Sequence, residues 1–203
     1  ANLPTYDPNQ RAVVDVSRMR NRAVTDIFEP GSTLKPFTAA AALEAGIVKP
    51  STMIETSPGA LTIGKATIHD AHPSGVLSLE QVIQKSSNVG TAKVALRLPS
   101  QALWNIFSGV GFGTHPQSGF PGEVSGRLRA HEKWSPIEQA TMSYGHGISV
   151  SLLQLARAYT IFSAEGVLMP ATLLKRTDKV EGKRVISRET AEAVRKMLEM
   201  AVQ

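Results

Sequence analysis

The chain has 203 residues, 42% of them hydrophobic, and a formal net charge of +5 at pH 7. That length suffices for one domain with a sizeable core. The absence of cysteine excludes disulfides, zinc–thiolate sites and thiol catalysis; no apolar run is long enough to span a bilayer, and no stretch reads as a signal peptide.

In chain order, residues 1–28 lack periodicity and read as irregular, with Pro4, Pro8 and Asn9 among them. A helix is predicted from about Ser32 to Ala45. Pro36, having no N–H, fits its first turn, and Gly46 ends it. Ala39 to Ala42 let this helix approach others closely. Leu61-Thr62-Ile63 and Ala66-Thr67-Ile68 flank Gly64-Lys65 and predict a hairpin. Ser78 with Gln81 is a capping-box pair opening a helix to about Lys85. A helix follows from Asn88 to about Leu98. Pro99 breaks it, and Ser100 starts another that runs through Trp104 and Phe107 to the glycines at 109, 111 and 113.

Residues 114–133 read as loop. A helix from Pro136 to about Met142 leads into a glycine turn at Gly145 and Gly147. Ser151 and Gln154 form a second capping box, predicting one apolar helix from Leu152 to Ala164, ended by Gly166. Leu173-Leu174-Lys175 and Arg184-Val185-Ile186 are expected to pair around Glu181-Gly182. Ser187 caps a last helix, Glu189 to about Ala201, with Ala193, Val194, Met197, Leu198 and Val202 on its apolar face.

The chemistry concentrates in two segments. In Glu29-Pro30-Gly31-Ser32-Thr33-Leu34-Lys35-Pro36, a serine and a lysine lie three residues apart at a helix start. Residues at i and i+3 share a helix face, so Ser32 Oγ and the Lys35 amine can meet. A serine hydroxyl needs a base, and a lysine becomes one when burial or neighbouring cations lower its pKa. Ser32 could equally be a simple helix cap. The second segment is Lys85-Ser86-Ser87-Asn88-Val89-Gly90. Serine and asparagine are ordinary turn formers. Ser-x-x-Lys followed by Ser-x-Asn resembles the order of penicillin-recognising serine acyltransferases. That likeness implies that Ser86 relays a proton to a leaving amine and that Asn88 holds the Lys35 amine and a substrate amide.

Arg20-Asn21-Arg22-Ala23-Val24-Thr25-Asp26, the two segments above, Phe120-Pro121-Gly122-Glu123, Tyr144-Gly145-His146-Gly147-Ile148-Ser149-Val150 and Leu153-Gln154-Leu155-Ala156-Arg157-Ala158-Tyr159 together resemble a class B penicillin-binding protein. The likeness covers nearly the whole chain and is nearest to the cell-division peptidoglycan transpeptidase of Gram-negative bacteria. It implies a single partial transpeptidase domain over residues 1–203. The expected fold is mainly α with small β-hairpins, the helical part of the penicillin-binding/β-lactamase-like fold, with the central sheet largely outside the chain. It implies Ser32, Lys35, Ser86 and Asn88 as catalytic residues, with Ala71, Tyr144, Gly145 and His146 lining the cleft for substrate, and no cofactor. The implied partners are peptidoglycan stem peptides, β-lactams and, for the intact protein, cell-division proteins. The implied location is the periplasmic face of the inner membrane, with the anchor upstream of Ala1.

Two departures matter. The family's third motif, Lys-Ser/Thr-Gly, does not occur; Lys183 lies between Gly182 and Arg184. An internal piece of the domain is therefore expected, poor as an isolated enzyme, with apolar faces of the Ser32 and Leu152 helices exposed. His146 stands where the family commonly has tyrosine, a ring-for-ring replacement. A β-lactamase or β-lactam sensor is the alternative enzyme, although no Glu-x-x-Leu-Asn segment follows Ser-x-Asn; a non-catalytic scaffold module is the alternative from another class. Basic clusters at Arg11, Arg18, Arg20 and Arg22 and at Lys175, Arg176, Lys179, Lys183, Arg184 and Arg188 lack aromatic platforms and read as solvated faces, not nucleic-acid sites. His69 and His72 lie at a strand end without further ligands, so no metal site is expected.

Overall fold

Helix α2 (Lys35–Glu44) is the axis of the molecule, and every side chain from Lys35 to Ala42 is buried. The computed structural model describes residues 3, 5, 7, 9, 15, 18–175, 177, 178 and 180–202. Pro4, Pro8, Arg11, Arg176 and Lys179, invoked in the sequence reading, lie outside them.

A short helix α1 (Arg22–Thr25) precedes α2, inside the stretch expected to be irregular. A 3-10 turn, Gly31–Leu34, then feeds directly into α2. Strands β1 (Met53–Glu55), β2 (Ala60–Ile63), β3 (Ala66–His69) and β4 (Val76–Ser78) follow. Next come α3 (Leu79–Gln84), α4 (Asn88–Ala95), α5 (Ser100–Gly109) and α6 (Pro136–Met142). The chain continues through α7 (Leu152–Ala158), α8 (Thr160–Ser163), β5 (Val167–Leu168), β6 (Lys183–Arg184) and α9 (Arg188–Met200). The body is mainly helical. Among the described residues every sheet has two strands: β1 with β4, β2 with β3 and β5 with β6, all antiparallel.

The Ala39–Ala42 run gives α2 a thin waist, and α4, α5 and α9 pack around it. Phe37 anchors an aromatic group, with ring centroids 5.7 Å from Phe112, 5.2 Å from Tyr159 and 5.1 Å from Phe162. Truncating so enclosed a ring costs about 3–5 kcal/mol. The apolar face of α2 expected to be exposed is thus covered, because α3, α4, α5, α9 and the aromatic group converge on it. Leu152 of α7, by contrast, is 52% exposed, as expected.

Local signals held where they were short-range. Ser78–Gln81 and Ser151–Gln154 are reciprocal capping boxes, and the β2–β3 hairpin turns at Gly64-Lys65. Longer-range contacts changed the rest. The helix from Asn88 stops at Ala95 instead of Leu98. Its end tightens into i→i+3 bonds, and buried Gln139 of α6 donates to the Ala95 and Leu98 carbonyls, both at 2.8 Å. The helix from Leu152 breaks at Tyr159. There the Thr160 hydroxyl donates to the Arg157 carbonyl (2.7 Å) and accepts from the Met169 N–H (3.0 Å), competing with the backbone ladder.

Residues Leu173–Lys175 do not pair with Arg184–Ile186. Strand β6 pairs with Val167–Leu168, because Gly166 (φ +87°) lies against the 186 peptide: a Cβ there would sit 2.2 Å from the Ile186 carbonyl oxygen. On α9, Thr190, Ala191, Val194 and Met197 are buried; Val202 lies beyond the helix end and is 86% exposed.

Candidate active site

Ser32 sits in the 3-10 turn ahead of α2, with its side chain exposed. Its N–H is among the first of the turn, which have no intrahelical acceptor. Lys35, the first residue of α2, is 2% exposed. Its Nζ donates to the Ser86 hydroxyl at 2.8 Å and to the Ser86 carbonyl oxygen. Burial pushes the Lys35 pKa down from 10.5 to about 8, and the Asp70 carboxylate holds it from falling further.

The second motif owes its shape to the end of α3. Ser87 N–H bonds to the Val82 carbonyl and Ser86 N–H to the Ile83 carbonyl, the 6→1 and 5→2 pair of a Schellman ending. Ser86 therefore occupies the left-handed position usually given to glycine, at φ 55°. That conformation turns its hydroxyl and carbonyl onto the same amine. Ser87 caps α4, accepting from Gly90 N–H at 2.8 Å, and donates to Asp70 Oδ2 at 2.7 Å. Asp70 Oδ1 accepts from Val89 N–H at 2.9 Å. One carboxylate thus ties the end of β3 to the start of α4 and places a negative charge near Lys35. Asn88, expected to hold the Lys35 amine, gives its Nδ2 to the His69 carbonyl instead (2.9 Å), because the end of β3 lies beside α4.

The opposite wall is the turn 144–147. Tyr144 is buried with Ile68, Val89, Ala92 and Ala140, and burial raises its pKa. Gly145 is buried, and its carbonyl accepts from Gly31 N–H at 3.1 Å. A Cβ at Gly145 would fall 2.1 Å from the Gly31 carbonyl oxygen, so only glycine fits. His146 is exposed, its ring edge-on to Tyr144 at 5.4 Å. Ala71 is exposed on the bend after Asp70. The Tyr159 hydroxyl, its pKa pushed up to about 12 by burial, donates to the Thr33 carbonyl at 2.8 Å beside Ser32.

The structure thus brings Lys35 and Ser86 into direct contact and lays the 144–147 turn along the Ser32 turn. Asp70 stands at the corner with Ala71 that the family likeness places on the cleft; Glu29 and Tyr159 are contributors that sequence spacing did not single out, since their partners lie 117 to 126 residues away. Among the described residues no cluster of His, Asp and Glu could hold a metal ion.

The profile of a family described as the penicillin binding protein transpeptidase domain matches residues 1–203. A Neisseria flavescens protein named "Probable peptidoglycan D,D-transpeptidase PenA" is 46% identical over 97% of this chain and 49% of its own length. The Escherichia coli K12 peptidoglycan D,D-transpeptidase FtsI is 40% identical over 98% of this chain and 34% of its own length. The chain therefore spans about a third to a half of the curated relatives it matches. Among solved structures, the transpeptidase domain of Burkholderia pseudomallei penicillin-binding protein 3 superposes with a TM-score of 0.89 and 49% identity, covering 91% of this chain and 56% of that one. With the Lys35–Ser86 contact and these matches together, the chain belongs to the penicillin-binding protein transpeptidase domains of class B.

Proposed function

We propose that these residues carry out serine acyl transfer in a peptidoglycan D,D-transpeptidase, with Ser32 as nucleophile and Lys35 as base. The carrying observation is the buried Lys35 amine at the start of α2, three residues after Ser32, its pKa lowered to about 8 and its Nζ held on Ser86. A neutral amine has two N–H groups and one lone pair. Both N–H groups are engaged by Ser86, so the lone pair remains to take the Ser32 proton.

Ser32 Oγ attacks the penultimate D-Ala carbonyl of a stem peptide, and its proton passes to Lys35. The Ser32 N–H supports the developing oxyanion. As the tetrahedral intermediate collapses, the carbon–nitrogen bond breaks and Ser86 relays the proton from Lys35 to the departing D-alanine amine. An amine from a neighbouring strand then attacks the acyl-enzyme and releases Ser32. Asn88 and the wall formed by Ala71, Tyr144, Gly145 and His146 flank the peptide. A β-lactam carries a strained amide of the same kind and acylates the same serine.

In the intact protein this reaction cross-links septal peptidoglycan at the periplasmic face of the inner membrane, alongside cell-division proteins. The family membership and the identity to FtsI support that setting. The test is a fluorescent penicillin. Label is expected on Ser32, lost in Ser32→Ala and retained for many minutes. Rapid loss of label identifies a lactamase; no label on the full-length protein identifies a scaffold.

A further inference from the structure

The segment before the nucleophile and the 144–150 segment are joined at three levels. Phe28 and Val150 exchange backbone bonds in both directions at 3.0 Å. Gly31 N–H bonds to the Gly145 carbonyl at 3.1 Å. Between these two points stands one carboxylate. Glu29 Oε1 accepts from Gly147 N–H at 2.8 Å, and Glu29 Oε2 faces His146 Nδ1 at 3.0 Å. Each carboxylate oxygen thus holds a different group of the same turn. The Gly147 N–H first, and His146 second, keep the Glu29 carboxyl below its ordinary range, so it stays charged.

Both side chains are about half exposed, 56% for His146 and 51% for Glu29. Solvent-screened pairs of this kind add little to global stability. Their location is more telling than their strength. Glu29 precedes Ser32 by three residues, and Pro30 and the 3-10 turn between them allow little slack. A change in the Glu29 grip moves Gly31 against Gly145, where the lack of any Cβ marks a close approach. The ring of His146 is held from two sides, by the carboxylate and by the edge-on Tyr144.

We propose that Glu29 and His146 are a positioning pair, a clamp that fixes the Gly31–Ser32 turn against the Tyr144–Gly147 wall. This rests on the acyl-transfer reading and deepens it. His146 thereby acts on the reaction through the placement of Ser32, its ring nitrogen facing the Glu29 carboxylate. A misplacement of the order of 1 Å at a nucleophile lowers rate about a hundredfold, so partial loosening is expected to cost about tenfold.

The test uses the full 203-residue chain and a chromogenic penicillin. It separates the binding constant before acylation from the acylation rate constant, and follows hydrogen exchange at the Gly31 and Gly147 amides. Glu29→Ala and His146→Phe are expected to slow acylation about tenfold and to speed exchange at both amides about tenfold; Glu29→Ala, at a residue outside the substrate wall, is expected to leave the prior binding constant unchanged. His146→Asn, which restores a donor near the position of Nδ1, is expected to recover most of the rate. If Glu29→Ala lowers the melting temperature, Glu29→Gln decides, since it keeps an acceptor for Gly147 while giving up the charge; it is expected to show a smaller loss of the same kind. Unchanged Gly31 exchange in these variants, or a rate loss that falls wholly on the binding constant, overturns the clamp. Should the full-length protein take no label while the amides still respond, the clamp stands and the acyl-transfer reading fails.

Discussion

The Lys35 amine hangs on Ser86 by two hydrogen bonds, one to the hydroxyl at 2.8 Å and one to the backbone carbonyl. Fifty-one residues separate the two in sequence. Their contact joins the start of α2 to the end of α3 and holds the proposed base in its buried place.

The rate of acylation is expected to rise with pH through about 8 and then level. Below that value the Lys35 amine is mostly protonated and has no lone pair for Ser32; at pH 7 roughly a tenth is neutral. Stopped-flow acylation from pH 6 to 10 checks this. Lys35→Arg, protonated throughout, is expected to abolish the reaction. A flat profile in the parent chain would remove Lys35 from the role of base.

The same burial costs stability at neutral pH. The folded-state pKa of about 8 lies below the ordinary 10.5, so the unfolded chain binds this proton more tightly. Stability from this group therefore rises as pH climbs from 8 to 10.5, by an amount on the order of 3 kcal/mol, and is constant below that window. Urea denaturation of the parent and of Lys35→Met, compared at each pH, isolates the effect. The difference between the two is expected to move in favour of the parent through that window only.

Ser86 stands at φ 55°, where a side chain is strained and glycine is not. Ser86→Gly and Ser86→Ala both remove the hydroxyl held by Lys35. The glycine variant is expected to be the more stable of the two by about 1 kcal/mol, since it alone relieves the left-handed strain. Both are expected to lose about 10²-fold or more in acylation through the missing proton relay. Denaturation midpoints and label kinetics measured together separate strain from chemistry.

Asp70 holds Ser87 Oγ and Val89 N–H, and its charge raises the Lys35 pKa. Asp70→Asn is expected to shift the acid limb of the acylation profile to lower pH, because the charge opposing Lys35 deprotonation is gone. Asp70→Ala leaves the Val89 N–H and the Ser87 hydroxyl without that acceptor and is expected to cost about 1–3 kcal/mol. An unmoved limb in Asp70→Asn would show that the charge does not reach Lys35.

Gly145→Ala places a Cβ 2.1 Å from the Gly31 carbonyl oxygen, on a residue already at φ +90°. Backbone on both sides cannot yield, so the 31–145 contact is expected to open. Loss of Ser32 labelling together with a lowered melting temperature is the expected result. Gly119→Ala, also at positive φ but with nothing within 4 Å of its Cβ, is the control for strain without a clash.

What could be read from the sequence was local. Ser-x-x-Lys beside Pro36 fixed the start of α2, and the Ser78–Gln81 and Ser151–Gln154 boxes named their helix starts, because each rests on bonds spanning three or four residues. The pairing of motifs, Ser-x-x-Lys before Ser-x-Asn, named the family because their order survives without coordinates. What only the tertiary structure decided depends on partners far along the chain. Gln139 ends α4 from 44 residues away, Gly166 draws β6 to β5, and Asn88 turns to His69 while Ser86 takes Lys35 alone. Glu29 finds Gly147 118 residues on. The Lys35 pKa belongs to the same class: three-residue spacing puts an amine near a serine, but only burial in the assembled core removes enough water to make that amine a base.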